Sequence, residues 1–371
     1  MESSAVSSKK SSWTEPLRIG RYIARRVIML LFTVVIGTYL AVLIANWGGA
    51  MDTIREAQIR EQVGGYLKLD RKLQSLPPEE FRRRYEIEVN RRKNLEGLNR
   101  PFFQRSIQYL TDALTLNLGH ATYLVSDSGS KEVRNIILER LPATLLLFGT
   151  AELIVFFLAI TAALYLSRRY GSFLDRLIVA LAPTSTAPAW FYGIFLILVF
   201  AGVLHVLPFG SMVDTPPPKS AGIYAVSVLK HLVLPVSAII LASICLAIYS
   251  WRTFFLIYSS EDYVEMAKAK GLPQGMIQMR YVLRPTLPPI LTSFSFTLIS
   301  LWQGAIVLES VFNWPGIGHL LSSAISSKDT PVIVGEVVIY GYLLAVTVFI
   351  LDIVYALIDP RVKVGESGAT A

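Results

Sequence analysis

The chain has 371 residues, 53% of them apolar and 17% charged, with a mean hydropathy of +0.49, which excludes an ordinary soluble protein of this length. A formal net charge of +8 needs no nucleic-acid partner when the basic residues gather in loops flanking apolar segments. The single cysteine, Cys245, excludes a disulfide framework and any cysteine metal cluster.

Residues 1–26 form a basic N-terminus with Lys9, Lys10, Arg18, Arg21, Arg25 and Arg26. Val27 to Trp47 carries no charge and reaches the length of about 20 apolar residues that a first transmembrane helix needs. It is long for the apolar core of a signal peptide and is not followed by a small-x-small cleavage site, so an uncleaved anchor is expected. Residues 48–139 then form a long loop outside the membrane. Asp52 to Glu96 is rich in charge, with Glu79/Arg83, Glu80/Arg84 and Glu88/Arg92 at helical i,i+4 spacing. The spacing predicts a solvated helical insertion. Added surface for an extracytoplasmic substrate-binding protein is the other reading, and the sequence leaves both open.

Residues 140–358 hold five more apolar segments. They run over Ala143–Leu166, Leu177 to about Leu207, Leu232–Trp251, Thr286–Leu308 and Val337–Ile358. The second of these exceeds one span, and Pro183 and Pro188 predict a kinked or partly interfacial start. The fold class is therefore all-α and integral to the membrane, with six transmembrane helices and a cytoplasmic tail over 359–371. Lysine and arginine set the orientation. Arg168, Arg169, Arg176, Arg252, Lys268, Lys270, Arg280, Arg284, Arg361 and Lys363 fall on the side of the N-terminus, against Lys219 and Lys328 in the two short loops opposite. Both termini are expected in the cytoplasm of a cell-membrane protein.

Between the fourth and fifth spans lies a polar, helix-forming stretch over 259–285. Ser259 or Ser260 can cap its first helix, and Glu261 and Asp262 put negative charge in the first turn. Lys268 and Lys270 suit the C-terminal end, Gly271 suits a left-handed position just beyond it, and Pro273 can start a second helix as its first residue. Pro285 disfavours a helical Arg284, so the second helix is expected to end near Leu283. From these residues alone the stretch reads equally as an amphipathic loop or as a handle for a partner.

The stretch resembles the EAA motif of ABC importer permeases. That pattern is Glu-Ala-Ala, three residues, Gly, nine residues, then Ile-x-Leu-Pro. Glu265, Ala267, Gly271 and Leu283 match in register, while Met266, Tyr281 and Arg284 depart from it. The wording from Asp262 to Leu272 is similar to the dipeptide/oligopeptide/nickel branch. So are Arg140 to Leu145 (Arg-Leu-Pro-Ala-Thr-Leu), Leu98 to Pro101, Asn117 to Gly119, His231 to Pro235, Pro315 to Gly318 and Asp359 to Arg361, all in the family order. The Pro-Gly-Asp-Pro that often follows the first span in that branch is replaced here by Asn46-Trp-Gly-Gly49, and the loop looks longer than usual.

The resemblance implies a type I ABC importer permease fold and three kinds of partner besides the lipid bilayer. These are a second homologous permease, cytoplasmic ATP-binding subunits and an extracytoplasmic binding protein, with no nucleic acid. It assigns ATPase coupling to Glu265, Ala267, Gly271, Leu272 and Leu283, with Ala267 and Gly271 keeping the contact surface low. Peptide is the implied substrate, with nickel or oligosaccharides as alternatives within the family. ATP would be bound by the partners, for this chain has no G-x-x-x-x-G-K-S/T phosphate loop, no H-E-x-x-H and no G-x-S-x-G, and no cofactor is expected in it.

Ionisable groups within spans are costly and are first suspects for function. Glu152 sits midway along the second span, and Glu309 begins a segment running through Pro315 and Gly316 that resembles the family's stretch after the fifth span. Each can line a pathway or gate, or serve as a structural group. His120, His205, His231 and His319 lack metal-ligand spacing, and Asp352 and Asp359 are expected to orient the last helix. A secondary transporter is the alternative of another class. It would show internal repeats with broken helices, and none is found in the sequence.

Overall fold

The computed structural model describes residues 14–46, 50–69, 77–95, 97–302 and 304–358. Asp359, and the side chain of Asp352, lie outside the described residues. Among the described residues there is no strand, only an isolated bridge between His120 and Glu132. In chain order come α1 (Thr14–Asn46), α2 (Ala50–Leu69), α3 (Pro78–Leu95), α4 (Phe102–Leu114) and α5 (Val133–Arg168). α6 (Phe173–Leu181) leads through a 3-10 turn (Ala182–Thr186) to α7 (Ala189–Leu196), which widens into a π turn (Ile197–Val203). α8 (Ala221–Ser259), α9 (Asp262–Ala269), α10 (Gln274–Met276) and a second π turn (Ile277–Leu283) precede α11 (Arg284–Ser300). α12 (Ile306–Val311), α13 (Ile317–Ser327) and α14 (Thr330–Ile358) complete the order.

The spine is α5 against α8, the most extensive helix pairing. Its cause is legible in α5, where Ala143, Leu147, Ala151, Val155, Ala159, Ala163 and Ser167 recur at every fourth position and are all buried. Small side chains on one stripe let two backbones approach closely where lipid supplies no hydrophobic drive of its own. α7 packs on α8, and α1 lies along α14. Two apolar clusters divide the spine. One joins Ala143–Ala151 of α5 to Leu232–Ile239 of α8, Phe312 and Trp314. The other joins Phe156–Leu166 of α5 to Ile248 and Phe255 of α8 and to the residues of α9.

Among the described residues, three helices are long and apolar enough to cross a membrane: α5, α8 and Thr330–Leu351 of α14. The segments 173–186 and 189–203 make a fourth if they form one span, and they are bent by 99°. Pro183 and Pro188 act there as the sequence expects, because neither can donate to a continuous helix. In α1, helical over Thr14–Asn46, the apolar stretch found among the described residues is Val27–Leu40. The expected fifth span differs. α11 stops at Ser300, not Leu308, and the chain turns at Gly304, whose φ of +63° only glycine adopts freely.

The 139/140 boundary falls inside α5, which starts at Val133. Upstream, α2 and α3 bury Ile59, Val63, Leu67 and Val89 between them. Of the three expected pairs on α3 only Glu88–Arg92 forms, at 3.8 Å, and Glu88 also meets Arg91 at 3.4 Å. The stronger links run between helices: Lys93 to Glu56 at 2.5 Å, and Arg60 to both Glu56 and Glu86 at 3.0 Å. Lys93 first and Arg60 second hold the Glu56 carboxyl below its usual range.

Gly193 of α7 packs against the ring of buried Phe312, so that an added Cβ would lie 2.7 Å from Cε2. Gly193→Val is expected to destabilise by about 1–3 kcal/mol, the usual cost of overpacking, read as a lower melting temperature in detergent. Gly149→Val on α5, where a Cβ meets nothing within 4 Å, should not.

Candidate functional site

The stretch over 259–285 is a helical hairpin. Glu261 stands at the N-cap of α9 without a side-chain bond. Neither serine caps it. Ser259 Oγ donates back to Phe255 O at 2.7 Å and Ser260 Oγ to Ile257 O at 2.8 Å, finishing α8, whose last carbonyls have no helical partner. α9 closes with a Schellman pair: Gly271 N–H donates to Lys268 O at 2.9 Å and Leu272 N–H to Ala267 O at 3.3 Å. Gly271 has φ +71°, and a Cβ there would touch nothing among the described residues within 4 Å, so within this chain it is the backbone that favours glycine.

Pro273 is the N-cap of the second limb, which therefore starts at Gln274, one residue later than expected. That limb does not end at Leu283. Leu283 and Arg284 keep right-handed helical angles and the helix runs on to Ser300. The π turn over Ile277–Leu283 directly precedes Pro285 and makes room for a ring that lacks an N–H and would clash with the preceding turn. Thr286 Oγ1 then donates to Val282 O at 3.1 Å and Leu283 O at 2.8 Å. The hairpin is therefore continuous with α11.

One face of the hairpin is welded to the spine. Val264, Ala267 (2% exposed), Ile277 and Val282 are buried against α5 and α8, with Leu272 and Leu283 partly buried beside them. Ala267 thus seats α9 closely on its own chain, and does not thin a partner-facing surface as the resemblance implied. Buried Gln278 donates Nε2 to Leu164 O at 2.8 Å in the last turn of α5. Beside it, Arg252 at the end of α8 makes a two-pronged pair with Asp175 of α6, Nε to Oδ1 and Nη2 to Oδ2, both 2.6 Å. Asp175 Oδ2 also accepts Gly171 N–H at 2.9 Å, and the guanidinium lies 4.9 Å from the centre of the Tyr170 ring. Sequence reasoning missed Gln278, Asp175 and Arg252 as a set. The pair is 77 positions apart and carries no local signal.

The opposite face is open. Tyr263, Met266, Met276 and Met279 are exposed apolar side chains, and Glu265, Lys268 and Lys270 are exposed among them. No side chain among the described residues pairs with the Glu265 carboxylate.

At the other end of the spine, Glu309 is fully buried. Its Oε1 accepts from Thr144 Oγ1 at 3.1 Å and its Oε2 from His319 N–H at 2.9 Å, while Ile317 N–H donates to Thr144 Oγ1 at 2.7 Å. Glu309 and Thr144 thereby satisfy the start of α13, where a negative group suits the helix dipole. A Cβ on Gly316 would run into both, and one on Gly318 would lie 2.8 Å from Ala305 C. Trp314 Nε1 donates to Ala143 O at 2.8 Å. Pro315, Gly316, Arg140 and His319 line a cavity of about 290 Å³. Burial first, and the Arg140 charge second, lower the His319 imidazole below its ordinary value. Glu309, Pro315 and Gly316 therefore meet in one folded-back segment, and Glu309 has a structural task there. Glu152 is separate. It is half-buried on α5 and no side chain among the described residues pairs with it.

The model of the family described as the inner membrane component of binding-protein-dependent transport systems matches residues 156–364, more than half the chain, and takes in the hairpin and the folded-back segment. The chain belongs to this family. A putative peptide permease protein of Brucella suis biovar 1 is 32% identical to the permease over 269 residues, covering 72% of this chain and 82% of the relative. The di/tripeptide transport system permease protein DppB of Pseudomonas aeruginosa is 32% identical over 286 residues, with the same 72% and 82% coverage. The nickel import system permease protein NikB of Staphylococcus aureus is 26% identical over 275 residues, covering 74% and 77%. The permease is a multi-pass membrane component of an ABC importer of the peptide/nickel branch, in which ATPase activity resides on separate subunits.

Removing one partner of the buried pair should be far worse than removing both. Asp175→Leu or Arg252→Met alone is expected to cost about 3–5 kcal/mol, and the double variant to recover most of it, measured by thermal unfolding of the purified complex. Equal losses in all three variants would mean that the pair does not hold α6 to α8.

Proposed function

We propose that the permease imports peptides as one of two membrane subunits, its hairpin docked in the cytoplasm on an ATP-binding subunit. The observation that carries this reading is the two-faced hairpin. Its inner face is fixed to α5 and α8, its second limb is continuous with α11, and its outer face presents Tyr263 and three methionines around an unpartnered Glu265. Methionine-rich apolar surface suits a contact that must persist while the partner changes shape. Six spans follow when α1, the bent pair and α11 are counted with the three long helices. The basic residues at the hairpin end favour a cytoplasmic position for that end and for both termini. α2 to α4 then lie on the outer side, where a substrate-binding protein delivers its load.

ATP binding draws the paired ATP-binding subunits together and carries the hairpins with them. Because each hairpin is rigid with its spine, the pull tilts α5, α8 and α11 and exchanges inward-facing for outward-facing access, and hydrolysis resets it. Glu265 anchors the outer face, Gly271 sets the turn, and Ala267, Leu272 and Leu283 transmit the force through packing. Glu309, Pro315 and Gly316 keep the outer closure in shape. The chain itself binds no nucleotide. Peptide is preferred to nickel because the relatives at 32% identity are peptide permeases, whereas the nickel permease stands at 26%.

Gentle purification should bring down a second permease and Walker-motif ATPases, and reconstituted vesicles should take up di- or tripeptides with no competition from nickel. Isolation of the chain alone, in a detergent that preserves known ABC complexes, would contradict the reading. Glu265→Ala and Met266→Asp are expected to lower peptide uptake and substrate-stimulated ATP hydrolysis at least tenfold, about 1.4 kcal/mol of coupling, with unchanged melting temperature. Ala267→Leu should instead lower the melting temperature, because it overpacks a buried site by about 1–3 kcal/mol.

A further inference from the structure

The sequence places residues 48–139 in a loop outside the membrane, yet α4 sits too deep for water on all sides. Tyr39 Oη of α1 and Ser106 Oγ of α4 share a hydrogen bond of 3.3 Å. Tyr39 lies seven residues before the end of α1 at Asn46, about 10 Å at the rise of an α-helix. On its other flank, Tyr109 and Ala113 pack with Val338 of α14, and Tyr342 donates its hydroxyl to Leu114 O at 2.9 Å. Val338 is eight residues into the apolar stretch Thr330–Leu351, about 12 Å from its start. Two separate spans thus put the middle of α4 at outer-leaflet depth, and Tyr342, twelve residues into its span or about 18 Å, sets the Leu114 end deeper.

α4 is also divided three ways. Ser106, Tyr109 and Ala113 are its protein face. Gln104, Gln108 and Thr111 are exposed and uncharged along a second stripe. Along a third, Phe103 is 67% exposed and Ile107 49%, with Leu110 and Leu114 continuing at helical spacing. A helix packed on protein and otherwise wet needs only one apolar stripe. A second one is the mark of a helix lying in a membrane interface. At this level α1 likewise exposes Leu40 and Ile44, so the stripe continues an apolar belt.

We propose that α4 is an interfacial helix whose Phe103–Ile107 stripe is seated among the acyl chains of the outer leaflet, with Gln104 and Gln108 turned to headgroups and water. The proposal rests on the reading of α1 and α14 as spans whose ends near α4 face outward. Anchored so, α4 ties the outer ends of both spans to the plane of the bilayer.

The test is spin labelling of the whole importer in lipid vesicles, in a Cys245→Ala background. Labels are placed by Phe103→Cys, Ile107→Cys, Gln104→Cys, Gln108→Cys and Leu40→Cys, and power saturation is read with oxygen and with a water-soluble nickel chelate. Oxygen should dominate at 103, 107 and 40, and the chelate at 104 and 108. Chelate access at 103 and 107 with oxygen still dominant at 40 would overturn the proposal and leave the spans standing. Exclusion of both reagents at 103 and 107 would overturn it in favour of a protein partner on that stripe. Loss of the oxygen preference at 40 as well would overturn the span reading and the proposal with it.

Discussion

Within an apolar slab, a polar group that the protein does not satisfy is satisfied by nothing. This constraint explains why the paired buried polar side chains named above sit at joints, while Glu152 on α5 and Glu336 on α14 have no side-chain partner among the described residues. Glu309 and Thr144 occupy the start of α13, Trp314 bonds to α5, Gln278 meets the end of α5, and the Asp175–Arg252 pair joins α6 to α8. Each sits where a helix begins, ends or changes direction. Between the joints the packing is mostly apolar, along the seven-residue stripe of α5.

The joints have a mechanical consequence. The hairpin is pinned at three points that belong to three different helices: its apolar seat on α8, Gln278 on α5, and its unbroken passage into α11. A displacement applied to α9 from outside is carried by all three at once, and no loose linker absorbs it. The far end is built differently. There α12 folds back and α13 is held through one carboxylate and one hydroxyl, so the closure is a small set of polar contacts around close-packed glycines. A long lever at one end and a compact closure at the other suit alternating access by rigid tilting.

Much of this was legible in the sequence, and the failures share a cause. The apolar segments, the bend at Pro183 and Pro188 and the left-handed turn at Gly271 follow from local chemistry, and Glu265 is singled out by the resemblance alone. Local chemistry also ends a helix before Pro285 and caps α9 with Ser259 or Ser260, and both expectations fail. A chain entering the membrane gains more by widening into a π turn than by breaking and leaving several backbone groups unpaired, and the serines complete the helix they follow. The turn at Gly304 depends on a sign of φ that glycine alone does not announce. Asp175 and Arg252 are ordinary loop charges until the fold brings them together, and the inward face of Ala267 appears only once α9 has a spine to lie on.

Coupling through the open face of the hairpin is tested most directly by a photo-crosslinking amino acid at Met266, irradiated in membranes holding the assembled importer. The expected product joins this chain to an ATP-binding subunit, and its yield changes when ATP is trapped. The same group at Ala267, which faces the chain's own spine, should give no such product. An assembled importer in which Met266 crosslinks only to lipid or to its own chain would contradict the proposed docking.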